Sequence, residues 1–358
     1  MNELEKIDSN FKMISASETK DGKDFYSLPN EKFDLYGVYY DDTDQRFRRL
    51  PQEVADSVNI GVAWESKQTS GGRIRFSTDS TLFELYASYD CFEPHNHMPL
   101  SGSAGFVLLE ERDEGNYHVQ TMRPGVNDKE KFSSSVGLVG GKMRNYILHL
   151  PNYGRVNELT IALKEGAKVQ GGKKYRDIKP ILYYGSSITQ GGCASRSDNA
   201  YQAHVSKWNN IDFINLGFSG SARAEDNMVD YLTTIDCSLF VCDYDHNAPD
   251  VEYLRNTHYR LYERYRAVRP DTPILFVTKP DFDYDPTGKE RENIIRNTYK
   301  KAKANGDKNV YFLAGRTFYG KKDRENFAVD RCHPNDLGFY YMAKGIYKKI
   351  KEIDEIFR

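Results

Sequence analysis

The chain has 358 residues, of which 39% are hydrophobic and 28% are charged, as in globular proteins, and it exceeds the roughly 200 residues common for one domain. Lys and Arg total 50 against 52 for Asp and Glu, so the net charge of -2 gives no bulk attraction to nucleic acid or anionic membranes. No apolar run approaches the roughly 18 residues of a membrane helix, and the first residues lack the apolar segment of a secretory signal. The sequence predicts two domains, no nucleic-acid or membrane partner, and a cytoplasmic location.

Cysteine usage argues against a disulfide framework and against a zinc site. The cysteines are odd in number, and no two of them form a C-x-x-C pair. His95-x-His97 has the alternation of two ligands on one face of a strand, but no set of carboxylates or cysteines lies near it in the sequence. We therefore expect no metal site, and we expect most thiols to be free and buried among Cys91, Cys193, Cys237, Cys242 and Cys332.

Short runs of alternating apolar and polar residues occupy the chain from about residue 30 to about residue 165. Turn signals separate these runs, and no long helical period intervenes. The runs are FDLYGVYY, SVNIGVAW, RIRFS, LFELYASY, GFVLLEE, YHVQTM, RNYILHL and LTIALK. They predict an all-β, jelly-roll-like sandwich domain over residues 1–175, with the Gly/Lys-rich stretch 165–174 as a linker or hairpin loop at its end.

Beyond residue 175, compact apolar runs alternate with longer helical patterns. The runs fall at 181–185, 212–217, 238–244, 273–278 and 310–315, and the clearest helical patterns fall at 250–268 and 335–353. This alternation predicts an α/β domain over residues 176–358. Its parallel sheet would be covered on both faces, with the active site at the carboxyl ends of the strands.

The first of these strands leads into a glycine-flanked turn at residues 185–192, GSSITQGG, which presents two serines. A nucleophile belongs at this place, although glycine–serine turns are also common as plain structure. Support comes from residues 330–334, DRCHP, where Pro334 fits the first helical position and would place His333 at the cap. Asp330 could then orient His333 as a base, or His333 could simply cap a surface helix.

Two later segments could supply hydrogen-bond donors to an oxyanion. Residues 215–220, NLGFSG, follow the second strand, where a glycine lets backbone N–H groups approach a ligand closely. Residues 243–249, DYDHNAP, follow the third strand, where Asn247 can donate its side-chain amide. A tetrahedral acyl intermediate needs such donors, each worth about 3 kcal/mol.

These four blocks together resemble the SGNH (GDSL-type) hydrolase superfamily in order and spacing over residues 180–345. The resemblance implies a flavodoxin-like, three-layer α/β/α fold for the second domain. It also implies that Ser187 is the nucleophile, His333 the base and Asp330 its orienting acid. Gly220 and Asn247 would be oxyanion donors beside the backbone N–H of Ser187.

The nucleophile block departs from the usual Gly-Asp-Ser of the superfamily. Gly185-Ser186-Ser187 stands there instead, and the register favours Ser187 over Ser186 as the attacking residue. Two stretches, GSSITQGGCASR at 185–196 and HNHMPLSGSAGF at 95–106, resemble a subgroup that carries an amino-terminal β-sandwich.

Three further residues are candidate substrate contacts. Arg196 could hold a polar group of the substrate, or it could be an exposed, ion-paired arginine. His246 could contact substrate or be a solvated loop residue, and His97 lies in a sandwich loop that could wall the cleft. No Walker loop, dinucleotide fingerprint or His-Glu-x-x-His motif occurs, so no cofactor is expected.

The resemblance implies a serine esterase that works through an acyl-enzyme without a metal or cofactor. The added sandwich and the subgroup favour small acyl groups, above all acetyl, on sugars or oligosaccharides. A lipase or lysophospholipase, and an O-acyltransferase with the same triad, are alternatives. A non-catalytic carbohydrate-binding protein is the alternative from a different class.

Overall fold

The computed structural model describes residues 17–90, 92, 94–128, 130–280 and 283–353. Antiparallel sheets fill the chain up to residue 171, and one parallel sheet with helices fills the rest. The predicted fold class is therefore confirmed. Among the described residues, no helix combines the length and apolarity needed to cross a membrane.

The amino-terminal region contains two main antiparallel sheets. One sheet has the strand order β1-β2-β12-β7-β10, and the other has the order β13-β6-β11-β8-β9, with β3 beside β6 and with β4 and β5 paired separately. The strands are β1 (Ser17–Lys20), β2 (Lys23–Ser27), β3 (Asp34–Tyr36), β4 (Tyr39–Asp41), β5 (Arg46–Arg48), β6 (Arg73–Thr78), β7 (Leu82–Tyr89), β8 (Phe106–Arg112), β9 (Gly115–Met122), β10 (Lys131–Gly137), β11 (Arg144–His149), β12 (Val156–Lys164) and β13 (Val169–Gly171).

The two sheets share one aromatic core. Phe76 on β6 stacks on Phe83 of β7 with ring centroids 5.8 Å apart, and both side chains are fully buried. Tyr146 on the neighbouring strand β11 also stacks on Phe76, with ring centroids 5.5 Å apart. Aromatic rings bury large apolar areas, so a few of them hold the two sheets face to face.

Three short helices interrupt this β region: α1 (Gln52–Val58), α2 (Ile60–Glu65) and α3 (Leu100–Ser103). The prediction of a strand at SVNIGVAW was wrong, because this run lies in α1 and α2. Val58, the last residue of α1, and Val62 in α2 pack on one core, whereas Ile60, the first residue of α2, is 91% exposed. Asn59 caps α2 by accepting a hydrogen bond from the Val62 N–H at 2.9 Å.

Five strands of the described residues lie outside the runs that predicted strands, namely β1, β2, β5, β10 and β13. The serine-rich β10 carries few apolar residues, and β13 lies inside the stretch that we read as a linker or loop. Both strands lie at the ends of their sheets, where one side has no partner strand and less burial is needed.

The carboxyl-terminal region is a five-stranded parallel sheet with helices on both faces. Its strand order, β15-β14-β16-β17-β18, is the flavodoxin-like order. The strands are β14 (Ile181–Gly185), β15 (Phe213–Gly217), β16 (Leu239–Asp243), β17 (Ile274–Val277) and β18 (Val310–Leu313), and the helices are α4 (Ser187–Gln190), α5 (Tyr201–Asn209), α6 (Asp226–Thr234), α7 (Val251–Val268), α8 (Gly288–Ala304) and α9 (Asp336–Lys351).

The strand β14 contributes to two separate cores. Ile181 and Tyr183 point into the core formed with α5 and α9, whereas Leu182 and Tyr184 point into the core formed with α6, α7 and α8. A strand buried on both faces reads as a continuous apolar run, as ILYYG does. The sheet is therefore the middle of three layers.

The two regions are joined by more than a linker. Leu50, Ala55 and Val62, from the amino-terminal part of the chain, belong to the same buried cluster as Leu182 and Phe240. Helix α1 packs on α6. A division between residues 1–175 and 176–358 stays a prediction.

Candidate active site

The serine turn is shaped by its local sequence. Strand β14 ends at Gly185, where a side-chain carbon would overlap the carbonyl oxygen of Asp243. The Ser186 hydroxyl accepts a hydrogen bond from the Ile188 N–H at 3.2 Å, which caps the short helix α4. Ser187 is the first residue of α4 and is 6% exposed. Ser186 thus holds the turn that carries Ser187.

Ser187, His333 and Asp330 form a chain of contacts. The Ser187 Oγ lies 3.0 Å from His333 Nε2, and His333 Nδ1 lies 2.9 Å from Asp330 Oδ2. The other Asp330 oxygen, Oδ1, accepts the backbone N–H groups of Cys332 and His333 at 2.7 and 2.6 Å. An imidazole held in this way presents Nε2 to the serine as a proton acceptor.

The carboxylate of Asp330 stays charged beside the imidazole. Partial burial acts to raise its pKa, but the hydrogen bonds from His333 and from the Cys332 N–H outweigh burial and lower the pKa below its ordinary value. A charged carboxylate at Nδ1 stabilises the imidazolium that forms when Nε2 takes a proton.

The predicted cap of the last helix was wrong. Helix α9 begins at Asp336, and its N-cap is Asn335, whose side chain accepts from the Gly338 N–H at 3.0 Å. Pro334 pairs instead with Ala328 in an isolated β-bridge, and the Val329 N–H donates to the His333 carbonyl at 2.9 Å. His333 is therefore held by a tight loop and not by the helix.

The candidate oxyanion residues follow the two strands that flank β14. Gly220, after β15, has a φ of +68°, which favours glycine. Asn247, after β16, donates its Nδ2 amide to the Phe218 carbonyl at 2.7 Å. An amide nitrogen carries two hydrogens, so this contact leaves Asn247 a second one to donate.

A cleft of about 670 Å³ of empty space, open to solvent, lies beside His333 and Ser219. The other lining residues all come from the amino-terminal region. They are Trp64, Glu65, Gln68, Phe92, His95, His97, Met98, Tyr153 and Arg155. The imidazole of His97 lies 5.4 Å from that of His333, centroid to centroid.

Glu65 has an unusual environment in this cleft. Its Oε2 is buried without a hydrogen-bond partner among the described residues. Burial raises the pKa of Glu65 to about 8, although Arg49 and the Ser219 N–H oppose that shift. The side chain is therefore mostly an uncharged carboxylic acid near neutral pH and can donate a hydrogen bond.

Arg49 ties this part of the amino-terminal region to the catalytic sheet. Its buried guanidinium donates to the carbonyls of Asn215 at 3.1 Å and Gly217 at 2.6 Å, at the end of β15. It also donates to the carbonyls of Glu65 and Gln68 at 2.7 and 2.8 Å. One side chain thus holds a cleft wall against the strand that precedes Gly220.

Two candidate contacts have other partners in the structure. Arg196 makes a bidentate ion pair with Asp198, with N–O distances of 3.0 Å, and is not among the described residues that line the cleft. The ring of His246 lies 3.5 Å from the Cys332 Sγ, and burial lowers its pKa well below the ordinary value. His246 is therefore a packed, neutral ring and not a solvated one.

The cysteine prediction holds for three residues. Cys193, Cys237 and Cys242 are buried thiols outside any disulfide, Cys332 is half-buried, and Cys91 lies outside the described residues. Burial raises the pKa of Cys193 to about 12, so this thiol carries its proton near neutral pH.

Sequence reasoning missed most of the cleft lining, including Trp64, Glu65 and Arg155. These residues lie at the ends of elements far apart in the chain, and each is ordinary in its local pattern. The one available signal was the four-residue spacing of Val54, Val58 and Val62, which identifies the helices that place Trp64 and Glu65 at the cleft.

Solved structures with the same fold come from several kinds of protein. A Bacteroides ovatus protein described as a GDSL-like lipase has 25% sequence identity and a TM-score of 0.82, over 92% of this chain and 98% of that one. A salicylyl-acyltransferase from a tetracycline biosynthetic pathway has 18% identity and a TM-score of 0.77, over 94% and 99%. An acetyl xylan esterase from the rumen bacterium Butyrivibrio proteoclasticus has 14% identity and a TM-score of 0.62, over 93% and 99%. At such identities the last two establish the fold alone.

Family models account for most of the chain, although no curated protein sequence matches it significantly. Residues 178–351 match the GDSL-like lipase/acylhydrolase family. Residues 23–169 match the model for the N-terminus of SGNH-hydrolase-type esterases. The chain therefore belongs to the SGNH (GDSL-type) hydrolases, a family of esterases and acylhydrolases, in the form that carries this N-terminal domain.

Proposed function

We propose that this chain is a serine esterase that hydrolyses small acyl esters, above all acetyl esters of carbohydrate, through an acyl-enzyme on Ser187. The observation that carries the proposal is the chain of contacts from Ser187 Oγ to His333 Nε2 at 3.0 Å and from His333 Nδ1 to Asp330 at 2.9 Å. This arrangement suits nucleophilic attack on a carbonyl.

In this mechanism His333 takes the proton of Ser187 as the hydroxyl oxygen attacks the ester carbonyl. The negative charge on the carbonyl oxygen receives hydrogen bonds from the Ser187 and Gly220 N–H groups and from the second amide hydrogen of Asn247. His333 then gives its proton to the leaving alcohol. Water, activated by the same imidazole, releases the acid and restores Ser187.

The character of the cleft supports a small acyl group on a polar alcohol. Polar side chains, including Gln68, Glu65 and His97, line it together with the partly exposed face of Trp64. Sugars present both hydroxyls and apolar faces, so a mixed lining suits them. A long acyl chain would leave these polar groups without partners, which is unfavourable. The similar fold of the acetyl xylan esterase also supports this substrate class.

The test is acetate release from acetylated xylo- and manno-oligosaccharides, compared between the wild type and Ser187→Ala. We expect release by the wild type and none by the variant. A series of p-nitrophenyl esters should show falling activity from acetate to longer chains. A maximum at long chains would replace the proposal with a lipase, and sugar binding without any turnover would replace it with a binding protein.

Acyl transfer is the second candidate, favoured by the similarity to the salicylyl-acyltransferase fold. Transfer would use the same three residues, with a sugar hydroxyl in place of water. Product analysis with added acceptor sugars separates the two reactions, because a transferase forms a new ester faster than free acid.

A further inference from the structure

A second set of chemical groups converges on the imidazole of His333. Ligand atoms of His97, Cys193 and His333 all lie within 4.8 Å of one another. The three residues come from a sandwich loop, from the loop after the nucleophile turn and from the loop before α9. Because the three residues are distant from one another in the chain, no sequence motif groups them.

Two imidazoles and a thiol are a ligand set suited to Zn²⁺. Zinc binds nitrogen at about 2.0–2.1 Å and sulfur at about 2.3 Å, so ligand atoms around a tetrahedral ion lie roughly 3.3–3.8 Å apart. The present separations reach 4.8 Å, so the three side chains must move together by about 1 Å when an ion binds. Three protein ligands leave a fourth position for water.

The surrounding hydrogen bonds orient both imidazoles for this role. His333 Nδ1 is held by Asp330 at 2.9 Å, which leaves Nε2 as its ligand atom. His97 Nδ1 lies 3.1 Å from Asn96 Oδ1, which likewise leaves its Nε2. A carboxylate behind a histidine is the usual outer shell of a zinc ligand, since it fixes the ring and raises its basicity.

The backbone of Cys193 provides an independent observation. This residue has a φ of +69°, in the left-handed region that a non-glycine residue adopts at a cost, and its side chain is 4% exposed. Strained residues are concentrated at functional sites. The strain here places a thiol among the groups that surround the catalytic imidazole.

We propose that His97, Cys193 and His333 form an inhibitory Zn²⁺ site. Binding replaces the thiol proton by the metal and releases that proton to solvent, and it occupies the Nε2 lone pair of His333. The imidazole can then no longer accept the proton of Ser187. Zn²⁺ is therefore a reversible inhibitor. The inhibition of turnover rests on the proposed function, whereas the metal site itself does not.

The test titrates Zn²⁺ into chelator-treated protein and measures p-nitrophenyl acetate hydrolysis, with Co²⁺ absorption as a readout that needs no activity. We expect Zn²⁺ to inhibit the wild type and Co²⁺ to give a thiolate-to-cobalt charge-transfer band. Cys193→Ser should keep its activity without metal, lose the band, and need at least tenfold more Zn²⁺ for half-inhibition. Cys237→Ser, which removes a buried thiol far from the cleft, should behave as the wild type.

Several results would overturn the proposal. Equal Zn²⁺ sensitivity of the wild type and Cys193→Ser would do so, as would a wild type without a thiolate band. A band that survives Cys193→Ser but is lost in Cys332→Ser would assign the metal to the other thiol near the cleft. The wild-type cobalt spectrum remains decisive if Cys193→Ser fails to fold. A protein with the band but no esterase activity keeps the metal site and refutes the proposed function.

Discussion

The two regions of this molecule contribute to the cleft in different ways. In the α/β region, the backbone fixes the groups that we propose react: Ser187 begins a capped turn, and two backbone N–H groups anchor Asp330. In the sandwich region, the cleft walls come from side chains at the ends of separate elements, such as Trp64 and Arg155. Under the proposed function, the chemistry depends on the α/β region and substrate selectivity depends on the sandwich region.

The largest expected effect is on the nucleophile. Ser187→Ala should lower kcat by at least about 10⁴-fold, because loss of a triad nucleophile removes the covalent pathway. The matched control is Ser186→Ala. It removes a helix cap but no reacting group, so it should lower kcat by less than about tenfold. Steady-state hydrolysis of p-nitrophenyl acetate measures both variants. Equal losses would contradict the assignment of Ser187.

The orienting carboxylate should matter less than the nucleophile. Asp330→Asn should reduce kcat by about 10²- to 10⁴-fold, since the amide no longer stabilises the imidazolium or fixes its tautomer. Circular dichroism should show an unchanged fold, because an amide oxygen can still accept the two backbone N–H groups. Activity within threefold of the wild type would remove Asp330 from the mechanism.

A substitution in the cleft wall of the sandwich region should change substrate affinity without changing the rate of the chemical step. Arg155 stacks on Trp64 with its guanidinium carbon 3.7 Å from the ring centroid. Trp64→Ala should raise KM for acetylated oligosaccharides by about tenfold, the size of one stacking contact, and leave p-nitrophenyl acetate hydrolysis nearly unchanged.

The chain offers a matched control for this prediction. Arg112 stacks on Tyr117 at 4.0 Å, and neither residue is among those that line the cleft. Tyr117→Ala should leave both substrates unaffected. If Trp64→Ala lowers kcat equally on both substrates, the cleft wall contributes to the chemistry. The proposed division of roles between the two regions would then be wrong.

The smallest expected effect is on thermal stability, and it depends on the protonation of Glu65. Because its pKa is raised to about 8 in the folded protein, unfolding releases its proton between about pH 4.5 and pH 8, so this group lowers stability as pH rises through that range. Glu65→Gln should therefore raise Tm by a few degrees at pH 8.5 and hardly at all at pH 4.5.

The opposite pH dependence of stability is expected for Glu84, a carboxylate on strand β7 of the sandwich. Hydrogen bonds from Lys23 and Tyr86 outweigh the effect of partial burial and lower the pKa of Glu84. Glu84→Gln should reduce Tm at neutral pH, with the difference shrinking in acid. Thermal unfolding of both variants across pH measures the contrast. A pH-independent gain for Glu65→Gln would mean that its carboxyl is not held uncharged.

The sequence predicted the α/β region closely because its signals are local. ILYYG is continuous and apolar, and β14 occupies those residues, while α7 begins one residue after its predicted start. Ser187, Gly220 and Asn247 follow strand ends, so topology alone brings these candidates to one edge of the sheet. The errors arose where tertiary contacts determine the local structure. The helices at SVNIGVAW pack on the α/β region, and Pro334 pairs with Ala328.

The position of Arg49 and Leu50 has a consequence for how such proteins can be recombined. The guanidinium of Arg49 pairs with carbonyls of the catalytic sheet, and Leu50 fills its core together with Ala55 and Val62. An exchange of modules cut at residue 175 would leave a cavity and unpaired carbonyls on the catalytic side. A viable chimera must keep residues 49–65 with the hydrolase sheet, so the transferable unit is discontinuous in sequence.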